Sequence, residues 1–396
     1  MKRLNILACI LQTFCIFLWV GDKPVFAASD EIPPPPANSD AIMAQALAHP
    51  ESTKASYVYK VPSKLSDGWK VGDLRKKKAD LKLISAGVNK ILAGTIPDVH
   101  SLVVVRHGEI FLDEYFKGYT ADYANPLYSC TKSVFSTVYG IAQDQGLLSV
   151  DQKIYDLYPE GRSKTGWDKR KDEITVGMML SMTSGLDCND VGVGDANCGT
   201  VMGQSKDWLS FIFHLPMSHD PGTFWMYNGC CLSLLSNLIA QKSGMSFPDY
   251  AKKVLLEPLG IPGDTWPTGP NGINRVDFGL NWKARDMAKL GQLYLNQGLW
   301  GGKRIVSSSW VKDASTLHAP PGTSFGHSYG YLWHIKTMTW KGKPIQIFFA
   351  NGYQGQAIFV SPDADLVCVV TADSTDNYIY GMEEKLFEEE ILASFK

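Results

Sequence analysis

The sequence predicts an α+β protein: one antiparallel sheet flanked by helices, built from both ends of the chain, with a mainly helical segment inserted between. Three observations carry this. First, β-rich runs over residues 101–106 and 109–116 surround His107-Gly108, a two-residue turn ending in glycine, the signature of a hairpin. Second, β-rich runs then vanish until residues 330–335, 345–349, 356–360 and 366–371. Third, helical patterns broken by glycine-rich loops dominate from Ser129 to about Leu290. Strands far apart in sequence that close one sheet leave a seam against the helical insertion, and clefts form at such seams.

The remaining elements follow in chain order. Lys2-Arg3, an apolar run from Leu4 to Val20, a turn at Gly21-Asp22-Lys23-Pro24 and small residues at Ala27-Ala28 describe a secretory signal peptide over residues 1–28. Asn5 and Gln12 interrupt the run, which is short of the ~20 residues a membrane span needs. The expected product is periplasmic or secreted, with no membrane attachment after cleavage. Residues 29–66, with four prolines at Pro33 to Pro36, read as a linker and N-terminal extension. Residues 67–396 then form the folded domain, with its sheet part in 67–128 and 291–396 and its helical part in 129–290. A helix is expected over 79–93, its preceding basic run Arg75-Lys76-Lys77-Lys78 being a solvated end. A last amphipathic helix is expected over 382–395.

Composition narrows the function. Apolar content of 45% and charge of 20% suit a globular protein with a sizeable core, and a net charge of -2 gives no electrostatic case for nucleic acid. Export makes the cysteines readable. Cys188 and Cys198 flank a loop rich in Gly, Asn and Asp, which an oxidising compartment would close with a disulfide. Cys368 reads as a small buried strand residue, while pairing among Cys130, Cys230 and Cys231 stays open. The cysteine spacings match no zinc pattern, so neither metal nor cofactor is implied.

Ser129-Cys130-Thr131-Lys132, where an apolar helix is about to begin, carries the chemistry. Positions i and i+3 share a helix face, so Lys132 can lie beside the Ser129 hydroxyl. A serine becomes a nucleophile when a neighbour takes its proton, and a lysine can help once burial has lowered its pKa. Free N–H groups at the helix start suit the oxyanion that then forms. A second Ser-x-x-Lys, Ser309 to Lys312, opens a helix after residues 301–306, and there Ser309 reads as an N-cap.

Two later segments complete the pattern. Pro221-Gly-Thr-Phe-Trp-Met-Tyr227-Asn228-Gly229 precedes an apolar helix, and Ala350-Asn351-Gly352-Tyr353-Gln354-Gly355-Gln356 lies between two β-runs. In this order they resemble the serine β-lactamase and D-alanyl-D-alanine-peptidase superfamily, from about Asp67 to the C-terminus. The closest likeness is to its class C-like branch, which includes esterases and 6-aminohexanoate-dimer hydrolases. The resemblance implies that fold and makes Tyr227 the general base. It also makes the N–H groups of Ser129 and Tyr353 the oxyanion hole. Ala350-Asn351-Gly352 takes the place of the family's Lys-Thr-Gly, with Gly352 and Gly355 letting the strand approach the substrate. Where the family has Asn or Ser two positions after the tyrosine, this chain has Gly229, and Asn228 is the candidate for that polar role. Asp187, after a family-like helix-plus-turn over 174–186, lines the cleft or sits on a solvated loop. Literal matches at Lys164-Thr165-Gly166, Tyr123-Ala124-Asn125 and Tyr294-Leu295-Asn296 lack the required strand or order and are set aside.

The tyrosine role is energetically feasible. A phenol titrates near ~10, so ionising it at neutrality costs about 4 kcal/mol. One ammonium at about 4 Å contributes roughly 4 kcal/mol at an effective dielectric near 20. The expected activity is two-step hydrolysis of small amides or esters through an acyl-enzyme on Ser129. A D-Ala-D-Ala peptidase or β-lactamase is the rival enzyme, and a non-catalytic penicillin-binding sensor the rival from another class. The lysine missing at Ala350 tells against carboxylate-bearing β-lactams.

Overall fold

Alternation along the strands divides the core into two layers. In the computed structural model, which describes residues 56–163, 166–191, 197–321, 323, 325–374 and 381–395, β1 (Lys70–Val71), β2 (Val99–Arg106) and β3 (Glu109–Tyr115) start the sheet. On β2, Val103 and Val105 face one layer while Leu102 and Val104 face the other. The expected leader at 1–28 and most of the expected linker at 29–66 lie outside the described residues. The folded body nevertheless begins before residue 67, because the Tyr59 ring is buried in the second layer and Tyr57 packs against it.

Two short ribbons, β4 (Ala124–Pro126) with β5 (Asn281–Lys283) and β6 (Leu299–Trp300) with β7 (Lys303–Arg304), stand apart from the main sheet. The sheet is completed by β8 (Ser328–Tyr329), β9 (His334–Trp340), β10 (Lys343–Gly352), β11 (Gln356–Ser361) and β12 (Leu366–Ala372). The spatial order is β1-β3-β2-β12-β11-β10-β9-β8. Both ends of the chain thus meet where β2 pairs with β12, as the β-rich runs predict. All neighbours are antiparallel except the edge pair β1 and β3, which is parallel and makes the sheet mixed.

One expected strand is displaced. Residues 330–333 do not pair; Leu332 adopts φ 64°, and Ser133 and Ser136 donate their hydroxyls to the carbonyls of Leu332 and Tyr331. That segment drapes over the helix Cys130–Asp144 instead, and the strand begins at His334. A smaller correction concerns the second Ser-x-x-Lys. Its helix, Ser308–Ala314, is capped by Ser307, whose Oγ accepts from Trp310 N, and not by Ser309.

The helix Leu81–Leu92 and the C-terminal helical run from Met382 to Ser394 cover one face of the sheet. Cys130–Asp144 and Ala284–Leu295 lie against the other. The latter helix therefore belongs to the sheet layer, not the helical insertion that residues 129–290 were expected to form. Its Arg285, 2% exposed, holds Asp67 at 2.5 Å and Asp113 at 2.6 Å. Breaking a buried ion pair costs about 3–5 kcal/mol, more than a buried Val or Leu contributes. The pair pins residue 67 and β3 to this helix.

Candidate active site

The chain enters the seam along the β4–β5 ribbon, where Leu127 N donates to Leu280 O at 2.8 Å. Tyr128 then takes φ 45°, a strained value for a non-glycine residue, and Ser129 caps the helix Cys130–Asp144. This turn places the Ser129 hydroxyl at a helix start. One turn further, Lys132 folds back along the same face as the i, i+3 spacing predicts.

Ser129 Oγ has two partners. Lys132 Nζ donates to it at 3.0 Å, and the Tyr227 hydroxyl lies 2.7 Å away. Lys132 Nζ also donates to the Asp277 carbonyl at 2.8 Å and sits 4.7 Å from the Tyr227 ring centre. Lys132 is 4% exposed, and burial pushes its pKa down against the opposing pull of Asp277 and Asp190. With Ser, Tyr and Lys at these distances, the Ser–Tyr–Lys group can pass a proton from the hydroxyl to a basic neighbour. Burial favours the state of the group that carries no net charge, the state able to accept that proton.

Gly229 explains how Lys132 fits. A Cβ there would stand 2.4 Å from Lys132 Cε and 2.7 Å from Asp277 Cβ. The glycine that departs from the expected polar residue is therefore the space the lysine occupies. Asn228 does not supply the missing polar group. It is 1% exposed and its amide donates to Ser184 Oγ at 3.0 Å, bracing the turn below the cleft. The expected substrate contact at Asn228 is corrected on that ground: a side chain so enclosed has no surface to offer.

The far wall is the end of β10. Gly352 comes so close to the nucleophile turn that a Cβ would lie 2.4 Å from Leu127 O and 3.3 Å from Cys130 N. Beyond it, Tyr353 is 47% exposed and its ring meets that of Tyr128 edge-on at 5.6 Å. Tyr128 donates its hydroxyl to Gln354 Oε1 at 2.6 Å. Gln354 and Gly355 both have positive φ, which turns the chain sharply back into β11. The backbone of Gly352, one residue before Tyr353, is thus held beside Leu127 O and Cys130 N at the nucleophile turn. Ala350 is buried on the inner layer and brings no charge. Asn351 turns the other way and donates to Glu383 Oε1 at 3.3 Å. Burial pushes the Glu383 carboxyl up to about 7.

The other sequence candidates lie elsewhere. Asp187 is exposed, with its backbone tied to Pro216 O, and no described contact links it to Ser129. Cys188 and Cys198 are joined by a disulfide. Cys130 is buried with its thiol toward Gln356 O, and Cys230 and Cys231 are unbonded thiols. Tyr123 packs with His100 and Tyr119, and Asn125 bonds the His100 ring at 2.9 Å. Tyr294 is buried in the core beside Thr137. Lys164 and Thr165 lie outside the described residues. Sequence reasoning missed Asp277, whose carbonyl anchors Lys132, and Arg275, which clamps the Asp277 carboxylate at 2.5 Å. It also missed Phe325, whose ring stands edge-on to Tyr227 at 5.5 Å. Only the charged alternation Arg275-Val276-Asp277 in an otherwise apolar stretch hinted at the pair.

A mixed sheet with helices on both faces and a Ser–Lys–Tyr cluster at the seam define a serine hydrolase of β-lactamase type. Residues 94–384 match the Beta-lactamase family, and the chain belongs to it. It is 23% identical over 301 residues to the 6-aminohexanoate-dimer hydrolase of Paenarthrobacter ureafaciens, covering 70% of this chain and 76% of that one. Among solved structures it is similar to a family VIII carboxylesterase, with a TM-score of 0.62 and 17% identity, covering 84% of this chain and 99% of the other. It is similar also to the class C beta lactamase from Rhodobacter sphaeroides, with a TM-score of 0.58 and 18% identity over 78% and 99% of the two chains.

Two outcomes are expected. Gly229→Ala forces Lys132 off its position, and a displacement of an ångström costs about 10²-fold in rate. Steady-state ester hydrolysis should fall by that order while circular dichroism stays native. Glu383 binds its proton more tightly folded than unfolded, so the stability it contributes is fully present below about 4.5 and is lost as pH rises through about 7. Glu383→Gln should therefore gain about 2 kcal/mol on the wild type between pH 5 and 8 in urea melts. An unchanged difference across that window would contradict the burial argument.

Proposed function

We propose that this chain is an exported hydrolase that cleaves small amides or esters through an acyl-enzyme on Ser129. The observation that carries the reading is Ser129 Oγ lying 2.7 Å from the Tyr227 hydroxyl and 3.0 Å from Lys132 Nζ. In the first step Oγ attacks the substrate carbonyl carbon and its proton passes to the Tyr227–Lys132 pair. The N–H groups of Ser129 and Tyr353 receive the oxyanion. The pair returns the proton to the leaving amine or alcohol as the bond to carbon breaks. Water then attacks the acyl carbon, its proton going to the same pair, and the pair returns that proton to Oγ as the ester bond breaks and the acid leaves.

Short, uncharged acyl groups suit this cleft best. Ala350 brings no cation to hold a carboxylate, and the Tyr128 and Tyr353 rings offer aromatic surface beside the nucleophile. The resemblance to the 6-aminohexanoate-dimer hydrolase of Paenarthrobacter ureafaciens and the likeness to the carboxylesterase support the two bond types. The leader-like residues 1–28 and the Cys188–Cys198 disulfide support export.

The test is intact-protein mass spectrometry after mixing with activated short-chain esters, linear amides and a small set of β-lactams. Esters or amides should add one acyl mass that decays on turnover, and Ser129→Ala should add none. Tyr227→Phe should slow acylation by about 10²–10⁴-fold. Rapid β-lactam turnover would favour a lactamase, a long-lived penicillin adduct a peptidase, and no adduct with any reagent a binding protein.

A further inference from the structure

Behind the Tyr227 segment, folding gathers a second chemical cluster. Cys230 Sγ lies 3.3 Å from Cys188 Sγ and 3.8 Å from Cys198 Sγ. The ligand atoms of Cys188, Asp190, Cys198 and Cys230 all fall within 4.8 Å of one another. A tetrahedral ion with metal–sulfur bonds of about 2.3 Å places its sulfurs about 3.8 Å apart. Three thiolates and one carboxylate are a donor set that selects zinc-type ions over calcium or magnesium. We propose that, once the Cys188–Cys198 bond is opened, Cys188, Cys198, Cys230 and Asp190 bind one zinc ion.

The hydrogen bonds that hold the ligand-bearing segments together run through the backbone and the Asp190 carboxylate and do not use the sulfurs. Cys198 N donates to Asn189 O at 2.9 Å, and Asp190 N donates to Tyr227 O at 2.7 Å. Gly199 N and Cys230 N reach the two Asp190 carboxylate oxygens at 2.8 and 2.9 Å. Each ligand-bearing segment is thereby tied to the others through the peptide chain, and the outer hydrogen bonds orient the carboxylate. Three thiolates and a carboxylate around a divalent ion leave two negative charges. The buried Arg275 guanidinium, paired with Asp277, also donates to Gly199 O at 2.9 Å and so holds the segment beside Cys198 in place.

Opening the disulfide needs a dithiol. It supplies two electrons and two protons, closes to its own disulfide, and leaves Cys188 and Cys198 as thiols. Zinc then displaces the three thiol protons to solvent. The oxidised and metal-bound forms fasten the same loop in different redox settings, and both reach Tyr227 through Asp190 N and Cys230. No spacing in the sequence gives the set away, because Cys188 and Cys230 stand 42 residues apart.

The test uses the full chain, reduced with a dithiol, desalted without oxygen and titrated with cobalt(II) chloride alone. One cobalt per chain should produce a thiolate-to-cobalt charge-transfer band, and zinc chloride should displace it. Cys230→Ser should abolish the band, whereas Cys231→Ser, whose sulfur lies 3.7 Å from Cys188 but outside the four-residue set, should keep it. The untreated, disulfide-bonded protein should show none. The proposal is overturned by a reduced wild-type chain without the band, an oxidised chain that shows it, or a band lost in Cys231→Ser but kept in Cys230→Ser. Because the two wild-type measurements decide by themselves, a variant that fails to fold does not rescue the idea.

Discussion

A buried amine with three fixed neighbours sets the geometry of the whole seam. Lys132 Nζ is held between Ser129 Oγ and the Asp277 carbonyl, under the Tyr227 ring, in the space left by Gly229. Removing an ammonium from water is costly, so the site pushes Lys132 toward its neutral form and readies the cluster to take a proton. The same enclosure sets the hydroxyl of Tyr227 against Oγ. Were the lysine free to swing into solvent, it would keep an ordinary pKa and the serine would lose a basic neighbour.

Much of the surrounding structure serves that placement. Arg275 neutralises Asp277 and so lets its carbonyl be presented to the lysine without an unpaired carboxylate beside it. Asp190 ties Tyr227 O and Cys230 N to the loop closed by the disulfide. On the opposite wall, the bare backbone at Gly352 permits β10 to approach the turn before Cys130. Arg285 pins residue 67 and β3 to the helix that lies on the sheet. Polar contacts and close packing thus act together in placing the walls of the cleft.

The sheet was legible because its strands alternate or run continuously apolar, and both patterns survive in any fold that buries them. Ser129 and Lys132 were legible because helical spacing alone brings them together. Tyr227 was reached through resemblance, since nothing local distinguishes it from a packed aromatic. Residues 330–333 misled because Tyr331 and Trp333 are β-formers, yet serine hydroxyls of the neighbouring helix capture the carbonyls of Tyr331 and Leu332. Asn228 misled because polarity suggested a cleft, whereas its amide is consumed by Ser184. Gly229 looked like a loss until Lys132 was seen to fill its place. The cysteine cluster is assembled by tertiary packing, so composition could count its members but not place them.

The protonation state of Lys132 tests this account most directly. Carbon-13 spectra of protein labelled at lysine Cε, with Lys132→Met identifying the resonance, follow that one amine through a pH titration. The account predicts a midpoint below the ordinary lysine value near about 10.4. A midpoint at or above that value would mean the amine stays charged at working pH and that burial does not prepare the site.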